Sequence, residues 1–61
     1  MTTDKRFLYK TAFSPLYDTF VGIKKIRTDQ MGQFIFDCTI AGYPKDQVVA
    51  FRECELTRFV L

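Results

Sequence analysis

The sequence predicts a compact all-β domain, and three observations carry that reading. Helical periodicity is poor throughout, while short β-rich runs recur between turn residues. The clearest run, residues 33–40, alternates strictly, with Phe34, Phe36, Cys38 and Ile40 on one face and Ile35, Asp37 and Thr39 on the other. Ten aromatic residues (seven Phe, three Tyr, no Trp) make up 16% of only 61 residues, enough large apolar side chains to supply the core of one small domain and no second one. A hydrophobic fraction of 48% with three Gly and two Pro excludes a disordered, collagenous or low-complexity chain.

In chain order, the opening MTTDKRFLYK is polar and charged, so residues 1–6 read as a flexible tail and residues 7–61 as a single domain. Residues 7–13 read as a first strand, followed by a turn at Ser14-Pro15-Leu16-Tyr17. A competing reading makes residues 4–13 a helix capped by Asp4, with Phe7, Leu8 and Thr11 on one face, packed on a three-stranded meander. Residues 18–27 (DTFVGIKKIR) are strand-like, but their apolar side chains change face between Ile23 and Ile26. A bulge or bend within residues 22–25 reconciles the two halves, as strands in small barrels require.

The polar loop of residues 28–32 ends in Gly32, able to take positive φ, and should close an antiparallel hairpin with residues 33–40. Residues 41–46, with Gly42 and Pro44, form the next turn and lead into a strand over residues 47–52. Residues 52–56 are too short and too charged for a strand, so one helical turn with Leu56 inward is expected. Residues 57–61 are β-formers again. Phe7, Phe20, Phe34, Phe36, Phe51 and Phe59 are the expected core.

This order of elements resembles the SH3-like small barrel, the architecture shared by SH3, Tudor-like and KOW-type domains. The likeness is strongest in Val48-Val49-Ala50-Phe51-Arg52-Glu53-Cys54-Glu55-Leu56-Thr57-Arg58-Phe59-Val60, which looks like the closing unit of such barrels: an apolar strand, an acidic 3₁₀ turn, a leucine and a final strand. The resemblance implies an SH3-like, partly open five-stranded antiparallel barrel with one 3₁₀ turn over residues 53–56. Leu56 should then drop beneath Phe34 and Phe51 while Glu53 and Glu55 stay in water. Pro15-Leu16-Tyr17-Asp18 echoes part of the tyrosine motif of peptide-binding SH3 domains, without their tryptophans.

Chemistry-bearing groups are few. The chain has no His, a single Ser at Ser14 before Pro15, and no Gly-rich phosphate loop, so an enzyme is not expected. Cys38 and Cys54 lack metal-ligand spacing, so no metal or cofactor is expected either, and both read as small apolar strand residues. In the cytoplasm, the default compartment for a chain with no signal-like or membrane-spanning apolar run, both thiols stay reduced.

The tyrosines exceed what so small a barrel encloses. Tyr9, Phe13, Leu16, Tyr17 and Tyr43 are therefore the expected protein-binding group, an apolar rim of the kind that meets a partner. The alternative partner is a nucleic acid, through Lys24, Lys25 and Arg27. A net charge of +2 is weak support for it, although residues 1–30 carry +3 and residues 31–61 carry −1. An unpaired edge strand leaves room for a homodimer. By size alone, the chain is like the phage and mobile-element proteins that regulate or inhibit one host protein.

Overall fold

Phe34, Phe36, Cys38 and Ile40 are all buried, and the strand they define, β3 (Phe34–Ile40), supplies half of the buried core. A computed structural model describes residues 5–61. Around β3 the chain builds β1 (Thr11–Ser14), β2 (Thr19–Thr28), β4 (Val49–Arg52) and β5 (Thr57–Val60). They form one five-stranded antiparallel sheet in the order β4-β3-β2-β1-β5. Its two outer strands do not pair, so the protein is a partly open small barrel.

The closing device is the irregularity in β2. Ile23 pairs with Cys38 and Lys25 with Asp37, leaving Lys24 as an extra residue. This bulge returns Ile26 to the inner face opposite Phe36 after the shift of register, within the 22–25 window where the sequence places it. Asp29 secures the β2–β3 hairpin: its Oδ1 accepts the backbone N–H of both Met31 and Gln33 at 2.9 Å. Gly32 takes φ 80°, a conformation that side chains with a Cβ disfavour.

The core is Ala12, Val21, Phe34, Phe36, Cys38, Ile40, Phe51 and Leu56, with Tyr9, Tyr17, Ile23, Ile26, Val49 and Phe59 packed against it. Leu56 follows the 3₁₀ turn Glu53–Glu55 and is buried in the same cluster as Phe34 and Phe51, as the closing-unit reading expects. Glu55 stays exposed, but Glu53 is half-buried because Arg6 pairs with it at 3.1 Å.

Several expectations need correction. The first strand begins at Thr11 rather than residue 7, and Lys5–Leu8 is a 3₁₀ turn. Pairing runs out there on both sides. Lys10 donates to the Val60 carbonyl and accepts from the Ile23 N–H; beyond them β5 has ended and the Lys24 bulge interrupts β2. The helix over residues 4–13 does not form across the described part, and Asp4 lies outside the described residues. Of the expected tail, residues 1–4 also lie outside them, while Lys5 and Arg6 belong to the 3₁₀ turn.

β4 starts at Val49, two residues later than expected, because the turn closed by Gln47 N–H on the Pro44 carbonyl holds the chain off the ladder. Phe7 and Phe20 are not core residues. Val21, opposite Ala12, takes the inner face of β2 and leaves Phe20 outside. Cys38 is the buried strand residue anticipated, but Cys54 is exposed in the 3₁₀ turn. Burial pushes the Cys38 thiol up to about 11, helped by the neighbouring Asp37 charge. Among the described residues no helix is long and apolar enough to cross a membrane.

Candidate functional site: an aromatic rim

Two turns build the rim. In the first, residues 15–18, the fully buried Ser14 hydroxyl accepts the Tyr17 N–H at 3.3 Å, and Asp18 turns the chain into β2 at φ 53°. A short polar side chain is the type best suited to that left-handed conformation. Tyr17 is thereby held half-buried, its ring edge-on to Phe51 at 5.8 Å. Leu16, one residue earlier, projects into solvent and is 77% exposed.

The second turn belongs to the β3–β4 connection, exposed throughout residues 41–48. Gly42 at φ 89° and the Tyr43 N–H bonded to the Ile40 carbonyl at 3.1 Å fold this loop back toward Tyr17. The Tyr17 and Tyr43 rings meet edge to face, with centroids 6.1 Å apart and planes at 84°. Tyr43 remains 46% exposed. The result is an aromatic step whose lower tread, Phe51, is core and whose upper tread, Tyr43, faces water.

Of the five residues expected to share a binding face, the structure joins Tyr17 to Tyr43 and places Leu16 next to Tyr17 in the same turn. Tyr9 lies elsewhere: it stacks on Phe59 at 4.6 Å and reaches Phe36, so it belongs to the inner cluster. Phe13 is on the outer face of the sheet, paired with Phe20 at 5.3 Å, with the Arg58 guanidinium 6.0 Å from its ring. That outer aromatic pair was not anticipated. Its signal was the parity of β2: once Val21 points inward, Phe20 cannot.

The basic group is reorganised by the bulge. Lys24 and Lys25 both stand opposite Asp37, and both are exposed. Arg27 grips Asp37 with two bonds, Nε to Oδ2 at 3.1 Å and Nη2 to Oδ1 at 3.3 Å. This forked geometry raises the Arg27 pKa, chiefly through the hydrogen bond, and directs the guanidinium at a neighbour rather than at a ligand.

A shallow cavity of about 320 Å³ lies at the 3₁₀ turn before β5, lined by Arg6, Gly32, Gln33, Phe34, Arg52, Glu53 and Cys54. Its charges answer one another. Arg6 lies 4.0 Å over the Phe34 ring and pairs with Glu53, while Arg52 bonds Gln33 at 2.7 Å and Asp29 at 3.4 Å. Comparison with known proteins returns no matching family model, no matching curated protein and no matching solved structure.

Proposed function

We propose that this chain is a non-catalytic binding domain of SH3-like architecture, which docks another protein on the rim formed by Leu16, Tyr17 and Tyr43. The observation that carries the reading is the rim's own geometry. Tyr17 is fixed from below by Phe51 and from its backbone by Ser14, while Tyr43 and Leu16 stand exposed beside it. Anchored aromatics with a wet outer edge are the side chains that dominate binding energy at protein interfaces. The strand order, the bulged second strand and the 3₁₀ turn ahead of the last strand support the SH3-like description. As a working role, the domain acts in the cytoplasm as a regulator or inhibitor of one host protein, in the manner of small phage-encoded proteins.

Arg27 already engages Asp37, which favours this reading over one in which Lys24, Lys25 and Arg27 contact phosphates. The two differ in salt dependence, because phosphate binding releases counterions and weakens steeply with salt whereas an apolar rim is nearly indifferent. Capture from lysate of the source cells, at low and high salt and with and without nuclease, should retain a protein at high salt after nuclease treatment. Capture that disappears with either treatment contradicts the rim and supports a nucleic-acid partner.

A further inference from the structure

The two edges of the sheet are not alike. At β5 the register shifts between Thr11 and Phe13, Arg58 sits at φ 52°, and its guanidinium folds over Phe13. Bulges and charged side chains of this kind blunt an edge against further pairing. β4 has no bulge and no left-handed residue, and its one charged side chain, Arg52, stands at its end beside the 3₁₀ turn. Its four residues pair with β3 in unbroken register, and the run Val48-Val49-Ala50-Phe51 has no charge and no Pro.

The direction of the free backbone groups follows from one hydrogen bond. The Arg52 N–H is bonded to the Glu55 carboxylate at 2.9 Å and so points away from β3. Backbone groups alternate along a strand, which turns the Ala50 N–H and C=O to the same open side. Ala50 is exposed, Val48 beside it is 49% exposed, and nothing among the described residues covers them.

We infer that β4 is a self-association edge that pairs antiparallel with β4 of a second copy about a two-fold axis through Ala50. In this arrangement the two Ala50 residues exchange both N–H···O bonds, and each Val48 N–H donates to the Arg52 carbonyl opposite. The Arg52 N–H, already held by Glu55, needs no partner there. The charges are self-complementary. Lys45 and Glu55 lie equally far in sequence on either side of Ala50, so the axis brings the loop bearing Lys45 to the turn bearing Glu55 of the other copy. Val48 faces the Arg52 stem, and no like charges face each other along the pairing. The small Ala50 side chains allow the strands to meet at the axis. The inference does not depend on the rim, since it uses β4 backbone and outer-face groups only.

Sedimentation equilibrium of the whole chain, from micromolar to millimolar concentration, tests it together with amide exchange. The wild type should approach twice the monomer mass, and Ala50 N–H exchange should slow as concentration rises while Arg52 N–H stays protected at every concentration. Ala50→Lys and Ala50→Glu each set like charges across the axis and should be monomeric throughout, melting like the wild type at the dilute end where the wild type is also monomeric, and mixing the two should restore the dimer. A wild type that stays monomeric overturns the inference. So does a dimer that survives in both single variants, or Ala50 exchange that is independent of concentration.

Discussion

Tyr9 and Tyr43 carry the same side chain and meet different fates. Tyr9 stacks on Phe59 at 4.6 Å and leans on Phe36, whereas Tyr43 meets Tyr17 edge-on at 6.1 Å and keeps 46% of its surface in water. The backbone decides between them. Tyr9 runs straight into the ladder, where Lys10 bonds Val60 at 2.7 Å and Ile23 at 2.8 Å; Tyr43 follows a left-handed glycine in the β3–β4 loop, outside the ladder. For these two tyrosines, the paired backbone beside β5 and β2 holds Tyr9 against the core, and the unpaired loop leaves Tyr43 at the surface. The inner group should therefore carry stability, and the rim should be nearly spare.

The largest effect should come from breaking the inner group. Leu56→Ala removes a buried side chain packed in one cluster with Phe34 and Phe51, and should cost about 2–5 kcal/mol in urea unfolding, much of what so small a domain possesses. A near-wild-type midpoint for this variant would place Leu56 outside the working core and remove the contrast.

An intermediate effect belongs to the hairpin loop that carries β2 into β3. The Asp29 carboxylate is held below its usual range, first by the Gln33 N–H, then by Met31 N–H and by Arg52. A folded value lower than the unfolded one means that the loop's contribution is complete above the ordinary carboxylate range of about 4 and is lost as pH falls through the lowered folded value. Thermal melts of the wild type should decline over that acid interval, and Asp29→Asn should flatten the decline. Identical acid profiles for the two proteins would show that the loop contributes nothing.

The smallest effect sharpens the comparison at the closing turn. Glu55 is exposed and holds the Arg52 N–H, and an amide oxygen can accept the same bond, so Glu55→Gln should shift stability by roughly 0.5 kcal/mol or less. Its melting curve should overlay that of the wild type while the curve of Leu56→Ala falls well below.

How much of this was legible depends on how far each residue's placement is local. The alternation of residues 33–40, the face change near Gly22, the positive φ of Gly32 and the inward Leu56 all follow from period and turn chemistry, and the structure keeps them. The start of β1 was not legible, because it is set by where β5 ends and where β2 bulges, both remote in sequence. The expected binding group shows the same limit. Tyr17 and Tyr43 come together through two separate turns, while Tyr9 is drawn inward by Phe59 and Phe13 outward to Phe20. Arg27 looked like part of a basic patch because its cross-strand diagonal partner, Asp37, is evident only once the register is known.

The most direct test of the rim's role is lysate capture at high salt after nuclease treatment, comparing the wild type with the double variant Leu16→Ser/Tyr43→Ser. Both side chains are exposed and Tyr43 adds one edge-on ring contact, so the variant's unfolding free energy should fall within about 1 kcal/mol of the wild type. Under those conditions the wild type should retain a partner that the equally folded variant loses. Equal capture by both proteins would contradict the account.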